Sequence, residues 1–459
     1  MTQALGKLYF PRALTAQGWA EQVLVTVSDG AIAMIETGVE PPPEAVRHRG
    51  TALPGIGNLH SHAFQRGMAG LSERGGPSDD HFWSWREVMY RFLAVLTPDD
   101  VEAIAALAYM EMLEAGFTAV AEFHYLHHDI DGRPYDAAGE LAGRIAAAAA
   151  DTGIGLTLLP VFYAHGGFGG AAPSPGQRRF VASLDLYAEL VEAAREAVRP
   201  LPDARVGIAP HSLRAATPDE MRRLQTIAGD GVIHLHIAEQ SQEVADSVAV
   251  LGARPVEWLL DHAPVDRRWC LVHATQMNET ETTALARSGA VAGLCPVTEA
   301  NLGDGIFPAD AYLAAGGKAG IGTDSNIAIS VTGELRALDY AQRLRDRARN
   351  RLAPQGGSSG RRLFELAASG GAQALGRNIG TLAAGARADI VVLDPDNAAL
   401  IGRSGDRLLD SWIFAATDRA VDTVYVGGER VVSAGRHWAR ASILEGWRRT
   451  AARLGDALR

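Results

Sequence analysis

The sequence predicts an α/β fold, a (β/α)8 barrel of the TIM type with a small β-sandwich domain built from both chain ends. Three observations carry that prediction. Short, mostly apolar runs recur through the middle of the chain, longer amphipathic segments separate them, and both ends turn β-rich with turn signals. An apolar run of roughly four to eight residues is what a strand buried on both faces requires.

In chain order the runs are Thr51–Asn58, Phe117–Phe123, Gly155–Phe162, Arg205–Pro210, Val232–Ile237, Trp269–His273, Ala290–Leu294 and Ala319–Thr323. The segments between them carry helix signals. Thr97-Pro98-Asp99-Asp100 places a cap, a first-turn proline and two acids ahead of an apolar stripe that stops at Gly116. Thr217-Pro218-Asp219-Glu220 repeats the device as a capping box. A doubly wound sheet is the alternative arrangement, but no Gly-rich phosphate loop follows the first run. At the ends, residues 20–37 and 387–432 read as strands, including Ala388–Leu393 and a hairpin over 424–432 around Gly427-Gly428. Ser442–Leu458 reads as a closing helix and Pro354–Arg361 as a mobile loop. The expected division is therefore 1–50 and 380–459 for the small β domain with its terminal helix, and 51–379 for the barrel.

Composition narrows the function. The 459 residues hold 43 Lys+Arg against 54 Asp+Glu, a net charge of −11, which argues against nucleic-acid partners and against attraction to an anionic membrane. No apolar run approaches the ~20 residues of a spanning helix, and MTQALGKLYFPRAL has no signal-peptide pattern, so a cytoplasmic protein is expected. Cys270 and Cys295 are the only cysteines, too few for a disulfide framework or a cysteine metal cage. Lysine occurs only at Lys7 and Lys318, so a Schiff base or a carbamylated-lysine metal bridge would have to use one of these.

Chemistry-bearing residues gather at one end of the runs. The first leads into His60-Ser61-His62, and residues two apart on a strand share a face. The fifth carries His234-Leu235-His236 followed by Glu239, the sixth ends at His273, and the eighth leads into Asp324. A lone His-x-His is more often packed core or surface than a metal site. Histidines and acids placed at one end of so many strands are a different matter, because that end is the C-terminal face where barrel active sites sit. Histidines plus a carboxylate, with water completing the shell, suit a catalytic zinc; on ligands alone iron and manganese fit as well.

The set resembles the amidohydrolase superfamily: HxH after the first strand, HxxE at the fifth (His236 to Glu239), His at the sixth and Asp at the eighth. The closing segment Gly380–Asp389 (GTLAAGARAD) is also similar. The fourth strand leads into His211 and not a lysine, which is similar to the mononuclear aminohydrolases that release ammonia from a C–N centre. That resemblance implies one Zn2+ per chain held by His60, His62, His236 and Asp324. It implies that Asp324 takes a proton from zinc-activated water, Glu239 passes one to the leaving nitrogen, and His273 stabilises the developing charge. His234 sits one layer deeper and reads as packed core.

Within the superfamily the likeness narrows to the formimidoylglutamate deiminases of histidine breakdown. It rests on Gln65 after HSH, Arg86 in FWSWREVMY, Tyr125 in EFHYLHH, and His211 with Arg214 in APHSLR. It implies hydrolysis of N-formimino-L-glutamate to N-formyl-L-glutamate and ammonia. Two arginines suit a dicarboxylate substrate, because guanidinium forks bind carboxylates bidentately. A homodimer follows from the same likeness. The rival is a guanine, pterin or adenosine-type deaminase, with Phe64, Phe162, Tyr163 or Trp258 stacking on a flat ring. A catalytically inactive barrel serving as a binding module is the reading outside catalysis; the presence of both Glu239 and Asp324 speaks against it. His124, His127 and His128 resemble a second metal cluster, but no strand geometry supports one.

Overall fold

The computed structural model describes residues 6–73, 82–416 and 418–458. The first five residues, part of the stretch read for a signal peptide, lie outside these. The class is α/β, with strand and helix alternating from residue 56 to residue 375.

Both chain ends enter one nine-stranded sheet. Gly6–Thr15, Gly18–Ser28 and Ala31–Glu36 form an antiparallel meander; the first of these, absent from the sequence reading, pairs with the second over its whole length. Ile390–Leu393, Val421–Val426, Glu429–Ser433 and Arg436–His437 supply the other half. The expected hairpin turns at Gly427-Gly428, both with positive φ. The closing helix runs Arg440–Ala457.

One boundary moves. The expected first barrel strand, Thr51–Asn58, is two strands. Thr51–Pro54 belongs to the nine-stranded sheet, parallel to Gly6–Thr15 and antiparallel to Ile390–Leu393, and so joins the N-terminal and C-terminal halves. At Gly55 the chain turns away, its N–H donating to Asp389 O. The strand that leads to the site is β1, Ile56–Ser61. Hydrophobicity runs unbroken across this change of partner, so the run alone could not mark it.

Seven further strands follow: β2 (Phe117–His124), β3 (Gly155–Phe162), β4 (Ala209–Pro210), β5 (Ile233–Ile237), β6 (Trp269–His273), β7 (Val291–Leu294) and β8 (Lys318–Ile321). The run Arg205–Pro210 is interrupted: Arg205–Val206 pairs with the start of β3, and β4 with its end. β1 to β4 form one curled parallel sheet and β5 to β8 a second. Single parallel bridges, Ile208 to Ile233 and Ser61 to Asp324, link the two at both seams. At the second seam the backbones nearly touch. A Cβ on Gly322 would lie 2.7 Å from His60 N, so only glycine permits this approach.

Helices cover the sheets with the expected caps. Thr97 and Asp100 form a capping box ahead of Pro98–Ala115, which ends at Gly116 with φ +99°, and Thr217 and Glu220 form another ahead of Pro218–Ala228. Helix Ser359–Leu375 seals the second seam from outside, where a Cβ on Gly370 would fall 1.9 Å from Ala319 O. One apolar core fills the sheets and their helices; a smaller one, including Phe10, Val25, Ile390 and Tyr425, lies within the flanking sheet. Among the described residues no helix is long and apolar enough to cross a membrane.

Candidate active site

β1, β5 and the turn after β8 deliver four donor side chains to one point. Backbone bonds across the seam set their spacing: Asp324 N–H donates to His60 O and His62 N–H to Asp324 O, both at 2.9 Å. Asn326 Nδ2 reinforces the turn by donating to Ser61 Oγ, His62 O and Asp324 O. Asn58 ties β1 to Thr323 through both ends of its amide. As a result His60 Nε2 lies 3.1 Å from His62 Nε2 and 3.0 Å from His236 Nε2. Asp324 Oδ1 is 3.3 Å from His60 Nε2 and 3.2 Å from His62 Nε2. All four residues are buried.

The donor chemistry fits a cation. His62 Nδ1 meets Phe123 O and His236 Nδ1 meets His211 O, each at 3.1 Å. A carbonyl only accepts, so both Nδ1 atoms carry the hydrogen and both Nε2 atoms present lone pairs. Lone pairs converging beside a carboxylate oxygen cannot satisfy one another. Burial pushes the His60 imidazole down to about 3, the neutral form that ligates. Burial opposes ionisation of Asp324, yet the neighbouring His60 and His62 imidazoles hold its carboxyl well below the usual range. Asp324 and His273 both adopt positive φ, +46° and +70°, a strained backbone for residues with side chains.

Beside the cluster stand further ionisable groups. His273 Nε2 lies 3.6 Å from Glu239 Oε1 and 3.8 Å from Asp324 Oδ2. Burial raises the Glu239 carboxyl above its ordinary value, against the pull of His273 and Arg214. Arg214 approaches Glu239 Oε2 at 3.8 Å. Glu243 fixes the Glu239 backbone by accepting the N–H groups of Ala238 and Glu239, both at 3.1 Å.

A cavity opens above these residues. Gln65, Arg86, Tyr125, His211 and Arg214 all line it, together with Glu239, His273 and Asp324. Tyr125 Oη and His211 Nε2 are 3.0 Å apart, and the His211 Nδ1 contacts Ser212 Oγ at 2.8 Å. Arg86 comes from helix Phe82–Leu93 and lies over the Tyr90 ring. Arg66, adjacent to Gln65, points elsewhere, to Glu111 and the carbonyls of Asn326 and Ile327. Of the four proposed ring-stackers only Tyr163 reaches the cavity wall. Trp258 instead stacks on His262, and Phe162 packs on Tyr187. His234 hydrogen-bonds Ala374 O at 2.8 Å and takes no part in the cluster.

Two family models match the chain: the amidohydrolase family over residues 51–431, and the N-terminal domain of the formimidoylglutamate deiminase HutF over residues 9–49. The chain belongs to the amidohydrolase family. It is 52% identical to a formimidoylglutamate deiminase of Pseudomonas aeruginosa, over 94% of this chain and 96% of the relative. A 5-methylthioadenosine/S-adenosylhomocysteine deaminase of Natronomonas pharaonis is 30% identical over 83% of this chain and 81% of its own. Among solved structures, an amidohydrolase from Brucella melitensis superposes with a TM-score of 0.95 at 52% identity, covering 99% of this chain and all of that one.

Some residues of this amidohydrolase site had no motif to announce them. Glu243 was within reach, as the third residue of a helix after Gln240, a position where acids accept backbone N–H groups. Glu299, against His273 Nδ1, comes from the short helix Pro296–Leu302 after β7, and Asp304, near Glu239 and His273, from the turn that follows it. Burial, with the Glu239 charge next, pushes the Asp304 carboxyl up to about 9. The aromatic wall of Trp85, Tyr90 and Phe180 was equally silent, because it joins two residues of helix Phe82–Leu93 to one in a distant turn.

Proposed function

We propose that this amidohydrolase catalyses the hydrolytic deimination of N-formimino-L-glutamate to N-formyl-L-glutamate and ammonia, a step of histidine breakdown. The observation that carries the reading is the cavity that puts Arg86 and Arg214 on the same wall system as Glu239, His273 and Asp324. Two guanidiniums match two carboxylates, and the acid–base groups stand where the formimino carbon of a substrate so held would lie. The identity to the Pseudomonas aeruginosa formimidoylglutamate deiminase points the same way.

The metal is zinc, one per chain, held by His60, His62, His236 and Asp324; nitrogen and oxygen donors without cysteine suit it. Bound there, zinc supplies Lewis acidity that brings the pKa of water toward neutrality. The rest falls to side chains. Gln65, Tyr125 and His211 orient the formimino group, while Arg86 and Arg214 hold the carboxylates. Asp324 takes a proton from the attacking water, and its Oδ2 faces His273 Nε2. Glu239, whose burial favours the protonated form, gives a proton to the departing nitrogen. His273 stabilises the charge that develops at the attacked carbon.

The finer architecture belongs to the same reading. The two curled sheets close into one (β/α)8 barrel that begins at β1 and runs to residue 379, and the nine-stranded sheet, Thr51–Pro54 included, folds into a β-sandwich. The enzyme is a cytoplasmic homodimer. The deciding assay is ammonia release from N-formimino-L-glutamate by zinc-loaded protein, with guanine and adenosine beside it. A kcat/KM of ~10⁴ M⁻¹s⁻¹ or above for formiminoglutamate alone is the expected outcome. Turnover of a purine and not of formiminoglutamate overturns the assignment while leaving the metal and Glu239 in place.

A further inference from the structure

His273 is addressed from two sides. Its Nε2 faces Glu239 and Asp324, and its Nδ1 lies 3.4 Å from Glu299 Oε1. Glu299 is itself held: the same Oε1 accepts the Cys295 N–H at 2.9 Å, its own N–H donates to Cys295 O, and its carbonyl accepts the Asp304 N–H. Glu299 is buried and does not line the cavity, so it cannot touch substrate. An imidazole has two nearly equivalent flip states about Cβ–Cγ, and the partners of its nitrogens decide between them; Glu299, at Nδ1, is the nearest of these to His273. In the flipped state a carbon would replace Nε2 opposite Glu239.

We propose that Glu299 is the positioning residue for His273, fixing the ring so that Nε2 points at the reacting centre. The proposal rests on the deiminase reading for its kinetic arm only. Glu299→Ala and Glu299→Gln are compared in the wild-type and His273→Ala backgrounds, with zinc content measured in each. Glu299→Ala lowers kcat about 100-fold with KM within about threefold and zinc unchanged; Glu299→Gln, whose Oε1 still accepts both N–H groups, lowers it about tenfold. In the His273→Ala background either change adds less than about twofold, because the residue acts through the ring. Crystals of the zinc-loaded Glu299→Ala protein show the His273 ring turned or split, and those of Glu299→Gln show it as in wild type.

A full-sized Glu299 effect without His273, or an unmoved ring in Glu299→Ala, overturns the proposal. Should Glu299→Ala fail to fold, Glu299→Gln decides through the same cycle. Absence of formiminoglutamate turnover in the wild type would sink the substrate assignment, and ring orientation would still decide the role of Glu299.

Discussion

Two groups of buried histidines lie close together in this molecule, and only one is built for a metal. His60, His62 and His236 aim three Nε2 atoms at one point beside Asp324 Oδ1. His124, His127 and His128, at and just beyond the end of β2, are as buried and as closely spaced in sequence. Yet His127 Nε2 goes to Val161 O and His128 Nε2 to Val181 O, each at 2.8 Å, and among the described residues no carboxylate joins them. Burial pushes His124 down to about 3 and His127 to about 4, so neutrality alone does not make a ligand. What separates the groups is where the lone pairs go. In the first, the Nδ1 atoms of His62 and His236 are tied to carbonyls and Nε2 is free to converge; in the second, the Nε2 atoms of His127 and His128 are themselves tied to carbonyls.

The largest effects should test this contrast. His236→Ala is expected to leave the chain without bound zinc and to cut turnover by roughly a thousandfold or more. His127→Ala should leave zinc content and kcat alone and cost about 1–3 kcal/mol of stability through the stranded Val161 carbonyl. Metal analysis and thermal unfolding on both variants check it; zinc lost from His127→Ala would erase the distinction. Within the active group, Glu239→Gln should keep the zinc and lower kcat by about 10²–10⁴. A Glu239→Gln protein with normal turnover would place the proton donor elsewhere, with Asp304, grouped with Glu239 and His273, the next acid to test.

A smaller effect concerns the substrate. Arg86→Ala or Arg214→Ala should weaken binding by about 2–5 kcal/mol, the scale for removing one partner of a buried charge pair. The two need not behave alike. Arg214 already stands beside Glu239, so its loss should also perturb kcat, whereas Arg86, on the outer helix Phe82–Leu93, should act through KM. Steady-state kinetics on both separate these cases, and unchanged kinetics in both would remove the dicarboxylate argument.

The two histidine groups also show how much of the site was legible in the sequence. His60, His62, His236 and Asp324 were readable because strands place side chains with a fixed period, and strand ends were marked by apolar runs that stop. The second group was ambiguous for the same reason: a loop has no period, so HYLHH could not say where its ring nitrogens point. The strands were legible except where pairing partners change, at Thr51–Pro54 and in Arg205–Pro210, since hydrophobicity records burial and not partner. Glu299 and Asp304 were hidden because the path of the chain after β7 brings them to His273, and nothing local records that path.

The smallest effect carries the contrast over to the carboxylates. Asp324 is held ionised by its imidazole neighbours, while at Glu122 on β2 full burial outweighs the Ala63 N–H, at 2.7 Å, and the Ser61 and Tyr109 hydroxyls, and its carboxyl is pushed up to about 8. An acid whose folded pKa lies above its unfolded value stabilises the fold fully below the unfolded pKa, near 4.5 here, and loses that contribution as pH rises through the folded one. Across that interval the slope is about 1.4 kcal/mol per pH unit for a single proton. Glu122→Gln keeps the acceptor for Ala63 and cannot ionise. The variant's melting temperature relative to wild type should therefore climb between pH 5 and pH 8 and level off above. A difference that stays flat across that range would mean Glu122 is already charged in the folded protein at pH 5. Burial would then not be the force that separates these two carboxylates.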